Sequence, residues 1–220
     1  MRSPAISLDL LLHGAWYALE QCGLLLRDAV DLYEEAGNST AASVALLARE
    51  ELGKFFILLR MWRSALKGQS PTVDSVRRAC MYHEEKQREG QGGIAIPVKA
   101  GTKFAALVQK ARLDPANPDG ASARSELKRI IMKRSKAQPS ARTKLREQGF
   151  YVDLNEAGTN WELPRDMARE VAYQCIEEAV GDYSVTLNNF SVEALNHEEP
   201  QLAWLAGWYV LPQPKWLSVP

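Results

Sequence analysis

The sequence predicts a mainly α fold. Apolar residues recur at helical spacing through most of the first ninety positions. No segment keeps the strict apolar/polar alternation of a half-buried strand, and glycine- and proline-containing stretches divide the chain into helix-length pieces. The first helix is expected over 8–36, where Leu8, Leu11, Leu12, Ala15, Leu19, Cys22, Leu25, Leu26, Ala29 and Leu32 recur three or four residues apart. Gly37-Asn38 stops it, and Asn38 or Ser39 is placed to cap a second helix over 40–66. The stripe of that helix is Val44, Leu47, Ala48, Glu51, Phe55, Leu58 and Trp62. Gly68-Gln69-Ser70-Pro71 breaks it, with Ser70 as cap and Pro71 as first residue of a third helix. That helix carries Val73, Val76, Cys80, His83 and Gln87 on one face.

Residues 90–101 read as a glycine-rich loop and 102–113 as a short amphipathic helix. Residues 114–120 form a turn-rich linker, and 122–137 a basic helix. Phe150 to Leu154 reads as a short extended segment ending in a turn at 155–160. Pro164 opens a last helix reaching about Val180, and after a break near Gly181 about Leu195. Three parts are expected: a helical bundle over 1–113, a basic helix with C-terminal helices packing on it over 114–199, and an irregular tail over 200–220 with three of the six tryptophans.

The chain of 220 residues is 46% hydrophobic and 25% charged, enough to bury a core without disulfides. Its 27 basic and 27 acidic residues cancel, so it lacks the global positive field of a nonspecific nucleic-acid binder. Cys22, Cys80 and Cys175 are far apart and only three histidines are present, which argues against a zinc site or a disulfide framework. No metal or cofactor is expected. The first twenty residues are too interrupted to be expected to act as a signal peptide, and no apolar run is long enough for a membrane span, so a cytoplasmic location is expected.

Two polar residues stand on apolar faces. Glu51 lies within the stripe of the second helix, and a carboxylate there needs a partner. His83 lies on the apolar face of the third. Antiparallel neighbours joined by a short turn pack together, so Glu51 is expected to pair with His83. Gly53, in mid-helix, costs about 1 kcal/mol relative to alanine and is tolerable where another chain segment comes close. Lys54, four residues after Glu50, is placed for an ion pair with it. Lys86 shares roughly the face of His83.

Glu50-Glu51-Leu52-Gly53-Lys54, preceded by Ala45-Leu46-Leu47-Ala48-Arg49, resembles the central motif of the AbiV family of abortive phage infection proteins. His83-Glu84-Glu85-Lys86 is similar to that family's His-x-x-Lys element, and Gly149-Phe150-Tyr151-Val152-Asp153 with Trp161 and Pro164 to its later segment. The three matches fall in order and cover roughly 10–180. The resemblance implies a HEPN-like helical bundle and a defence effector that arrests growth or translation after sensing a phage component. A phage-encoded protein is the implied trigger. HEPN domains often act as metal-independent ribonucleases through Arg-x4–6-His, a spacing that Arg78 and His83 match, and dimerisation would join two such motifs. Arg78 would hold phosphate, and His83, with Glu51, would serve proton transfer. Five residues turn a helix by about 500°, however, so Arg78 and His83 do not share a face of one continuous helix.

Two further regions carry interaction chemistry. The stretch with Arg124, Lys128, Arg129, Lys133, Arg134, Lys136, Arg142, Lys144 and Arg146 contains one acid, Glu126, and fits either RNA phosphates, an acidic phage protein or a solvated face. Trp204, Trp208, Tyr209 and Trp216 fit packing across the bundle or onto a second subunit, or a partner-binding arm. Three functions are therefore open: a defence effector binding through Glu50, Lys54, Lys86, Arg129, Lys133 and Arg134, a HEPN-type endoribonuclease, and a non-toxic helical adaptor.

Overall fold

The computed structural model describes residues 3–90, 106–107, 110, 117–155, 157–190 and 202, without the side chains at 127, 128 and 130–139. The expected loop at 90–101 beyond Gly90, most of the expected helix at 102–113, and the tail tryptophans lie outside the described residues.

Two long helices form the frame: α1 (Leu8–Glu34) and α2 (Asn38–Leu66). Ser7 caps α1 by accepting from the Leu10 N–H at 3.2 Å. At the other end Ala36 takes a positive φ of 63°. The Gly37 N–H reaches back to the Leu32 carbonyl at 2.8 Å and the Ala36 N–H to Tyr33 at 3.2 Å. This is a Schellman closure with alanine where glycine is usual. The glycine of the expected Gly37-Asn38 stop sits one residue later, at the N-cap of α2, and neither Asn38 nor Ser39 caps that helix.

The α1–α2 seam is apolar, with Leu11, Ala15, Leu19, Leu26, Ala41, Ala45, Leu52 and Phe55 buried. Each fully buried leucine there is worth roughly 1.5–3 kcal/mol. Phe190 closes one end, edge-on to Phe55 with ring centroids 5.1 Å apart.

The expected third helix is two. α3 (Val73–Met81) is capped by Thr72 in a reciprocal box with Ser75, not by Ser70. The N-terminal segment fixes this start: Ile6 N–H donates to the Pro71 carbonyl at 3.0 Å and Val73 N–H to Pro4 at 2.9 Å. Tyr82, in an extended conformation (φ −77°, ψ 112°), ends α3, and α4 (His83–Glu89) begins in a new direction.

The basic helix is longer than predicted. α5 (Pro118–Phe150) starts behind Asn117, whose side chain accepts from the Asp119 N–H at 2.9 Å, and continues past Pro139. An interior proline costs about 3 kcal/mol, and the last turns of α5 offset it by packing on α2 and α4. A two-stranded hairpin follows, β1 (Asp153–Leu154) against β2 (Trp161–Glu162), as the extended segment and turn anticipate. Pro164 opens only a 3-10 turn, Pro164–Asp166. The last described helix, α6 (Arg169–Asn189), runs through Gly181 without the expected break. Its buried residues (Ala172, Cys175, Ile176, Ala179, Asp182, Tyr183 and Thr186) form one stripe on the frame.

α2 is central, in contact with α1, α4, α5 and α6. No described helix is long and apolar enough to cross a membrane.

Candidate functional site

Two close approaches set the site. At Gly53 the backbone of α4 lies so near that a Cβ would overlap the Lys86 carbonyl. At Gly149 a Cβ would overlap the Ser43 hydroxyl, which instead donates to the Arg146 carbonyl at 2.9 Å. These glycines bring α4 and α5 onto the same side of α2. The residue of α2 that faces them both is Glu50.

The Glu50 side chain is 2% exposed. Such a carboxylate costs several kcal/mol unless donors replace its water. Four do so. On Oε2 it accepts from His83 Nδ1 at 2.6 Å and pairs with Lys86 Nζ at 3.1 Å. On Oε1 it accepts from Arg146 Nη1 at 2.6 Å and from Gln87 Nε2 at 3.4 Å. Gln87 Nε2 also donates to the Leu46 carbonyl at 2.8 Å, which fixes the orientation of its amide.

Arg146 Nη1 also lies 2.9 Å from His83 Nδ1. Nδ1 cannot both donate to Glu50 and accept from Arg146. Arginine keeps its protons, and a carboxylate is the stronger acceptor, so the proton belongs on Nδ1, pointing at Glu50. Nε2 makes no hydrogen bond among the described residues, and the His83 side chain is 50% exposed. An imidazole oriented by a buried carboxylate through one nitrogen, with the other accessible, is equipped for proton transfer.

The expected Glu51–His83 pair is corrected by one residue. Glu50 binds His83, while Glu51 takes Lys54 at 2.6 Å, the partner expected for Glu50. A helix turns by 100° per residue, and that turn directs Glu50 towards α4 and α5. Nor does His83 lie on an apolar face: the break at Tyr82 puts it at the exposed start of α4. Arg78 is exposed near the end of α3, on the far side of that break, and makes no hydrogen bond or ion pair with His83. The cation beside His83 is Arg146, which the sequence places only in a basic stretch. Its one signal is the spacing Arg142, Arg146, Gly149, which aligns three residues on one helix face. Arg129 is exposed and paired with Glu126 at 2.6 Å, and the Lys133 and Arg134 side chains lie outside the described residues.

A second polar cluster adjoins the first through Arg49. Its Nη1 donates to Glu178 at 3.1 Å and its Nη2 lies 2.6 Å from Asp182 Oδ2, although Asp182 Oδ2 has no well-directed hydrogen bond. Arg142 donates to Glu178 at 2.7 Å. Burial pushes the Asp182 carboxyl up to about 6, against the pull of Arg49 and Arg142, and burial likewise lowers Arg49. Burial, followed by the Glu178 charge, pushes the Cys175 thiol up to about 11, and Cys22 is raised well above its ordinary value, first by burial. Neither thiol is a poised nucleophile.

The family model for the AbiV HEPN domain matches residues 11–183. The chain belongs to the AbiV family. The matched span holds Glu50, His83, Lys86 and Arg146, so the Glu50 cluster lies within the AbiV domain. No curated protein and no solved structure matches the chain.

Proposed function

We propose that this AbiV-family protein is an antiphage defence effector of the abortive-infection type. It arrests growth or translation after a phage-encoded protein is sensed, acting in the cytoplasm as a homodimer. The observation that carries this reading is the family match over 11–183, which spans the residues converging on Glu50. A cluster of one acid, two cations and a half-exposed imidazole is costly for a purely structural role, since well-packed apolar residues of similar volume are often as stable. Expression from a plasmid, with phage challenge at high and low multiplicity, tests the reading. Plaque formation should fall while infected cells cease growth. Unchanged plating, or protection with full survival of the infected cells, contradicts it.

A second reading is supported by the His83 geometry: a metal-independent endoribonuclease. His83 Nε2 would take the 2′-hydroxyl proton as the 2′-oxygen attacks the adjacent phosphorus. The P–O5′ bond would break, with the 5′-oxygen leaving as a hydroxyl that takes its proton from the imidazolium or from water, and Glu50 would orient the ring. Purified protein incubated with total RNA, beside His83→Ala, separates the readings. Cleavage that the variant lacks favours the nuclease, and intact RNA leaves the effector acting by binding.

A further inference from the structure

The end of α5 and the hairpin that follows it leave a group of large apolar side chains in solvent. Phe150, Tyr151, Val152, Leu154 and Trp161 are all exposed, Tyr151 at 66% and Trp161 at 64%. Single exposed apolar residues are ordinary on a protein surface, but a contiguous group of them marks a place of interaction. A two-stranded hairpin is also marginal in water by itself, and gains most from a further strand with an apolar face.

The register gives the hairpin two unlike faces. Leu154 stands opposite Trp161, and Asp153 opposite Glu162. Successive side chains of a strand point to opposite faces, so one face is apolar and the other carries both acids. Like charges directly opposite each other destabilise a sheet. No cation relieves this pair among the described residues: Glu162 accepts from the Gln148 amide at 2.7 Å, and Asp153 from the Leu154 N–H at 2.8 Å.

The two edges differ as well. The Asn155 N–H donates to the Asn160 carbonyl at 2.9 Å. Hydrogen-bonded and non-bonded pairs alternate along antiparallel strands, so the next pair, Leu154 and Trp161, turns its backbone groups outward. On the β1 edge the Asp153 carboxylate covers the Leu154 N–H. On the β2 edge the Trp161 N–H and carbonyl have no such cover among the described residues.

We propose that the β2 edge of this hairpin takes an extended segment of another protein in which apolar and basic side chains alternate. The segment adds a third strand. It hydrogen-bonds the Trp161 backbone, lays its apolar side chains on Leu154 and Trp161, and brings its lysines or arginines against Asp153 and Glu162. Charge selects this occupant. A second copy of the hairpin sets acid against acid, and a nucleic acid sets phosphate against both carboxylates. The surface uses no residue of the Glu50 cluster and stands apart from the reading of His83.

The test is titration of the full chain with a short peptide of alternating lysine and valine, followed by the Trp161 indole and backbone N–H NMR signals, with affinities from calorimetry. Saturable Trp161 shifts are expected, with binding that weakens as salt rises. Trp161→Ala should weaken binding about thirtyfold, the loss of a central aromatic anchor. Asp153→Asn with Glu162→Gln should weaken it about fivefold, the loss of two opposite-charge contacts. That double variant also removes a repulsion within the hairpin, so its weaker binding is not a loss of fold. The same peptide with glutamate for lysine should not bind. A version with a central proline, which cannot donate to the edge, should bind more weakly than the original. Absence of saturable Trp161 shifts with the lysine peptide overturns the proposal, as does equal binding of the lysine and glutamate peptides. Trp161 shifts that follow protein concentration alone assign the face to a second copy. Shifts caused by phosphatidylcholine vesicles or a short RNA, with no response to the peptide, assign it to a membrane or a nucleic acid. Each of these also overturns the proposal.

Discussion

Arg49 and Glu50 are adjacent in sequence, both buried, and turned to different neighbours. Glu50 faces α4 and α5 and has donors on both oxygens. Arg49 faces α6, where Asp182 approaches closely without a well-directed hydrogen bond, and Arg49 Nε and Arg142 Nη1 have no hydrogen-bond partner among the described residues. The Arg49 cluster balances two acids against two arginines but satisfies them poorly. The Glu50 cluster gives its acid donors on both oxygens, and its outer cation, Arg146, also lies 3.5 Å from the half-exposed Glu147. The contrast teaches that polar burial on one helix serves two ends. A clasp of two acids and two arginines ties α6 and α5 to the frame, and a cluster built on one fully buried carboxylate keeps an imidazole oriented at the surface.

The largest effect should come from Glu50→Ala, which strands Lys86 and Arg146 and should cost ~3–5 kcal/mol in urea unfolding. A loss below about 1 kcal/mol would erase the difference between the clusters. Asp182 should give the next largest. The native state keeps its proton up to about pH 6, while the unfolded chain releases it near pH 4. The unfolded state thus binds fewer protons in that window, and this group makes stability fall as pH rises through it, by roughly 3 kcal/mol. Asp182→Asn should flatten that part of the pH–stability curve. A slope equal to wild type would show that the Arg49 pair outweighs burial.

Gly53→Ala should cost ~1–3 kcal/mol by forcing α4 off α2. It should also shift the His83 NMR signals, whereas a change confined to stability would mean that the helix slides without disturbing the site. Ala36→Gly touches neither cluster and relieves a left-handed alanine, so it should raise stability by roughly 0.5 kcal/mol in thermal unfolding. No gain there would mean that the Schellman turn is unstrained.

Much of the helical frame was legible because α1 and α6 each bury one stripe, and periodicity reports a single stripe well. The site was legible only in part. Reading α2 as a helix with one buried face selects Glu51. The helix is central and buried on several sides, so Glu50 and Arg49 are inside as well. Gly53 was correctly read as a place of close approach, because a mid-helix glycine has few other uses. The break at Tyr82 carries no glycine or proline to announce it, so α3 and α4 merge into one predicted helix and place His83 on the wrong face. Arg146 was hidden among nine basic residues of one stretch, since its partner stands 96 residues earlier in the chain.

We propose that His83, held by Glu50 beside Arg146, is the working group of this AbiV-family protein, and that Arg78 is not part of it. Phage plating on cells expressing His83→Ala and Arg78→Ala, at matched levels of folded protein, tests it most directly. Both residues are at least half exposed or on the surface, so neither substitution removes core packing. Protection retained by Arg78→Ala and lost by His83→Ala is the predicted result. Equal loss in both, or protection retained by His83→Ala, would contradict it.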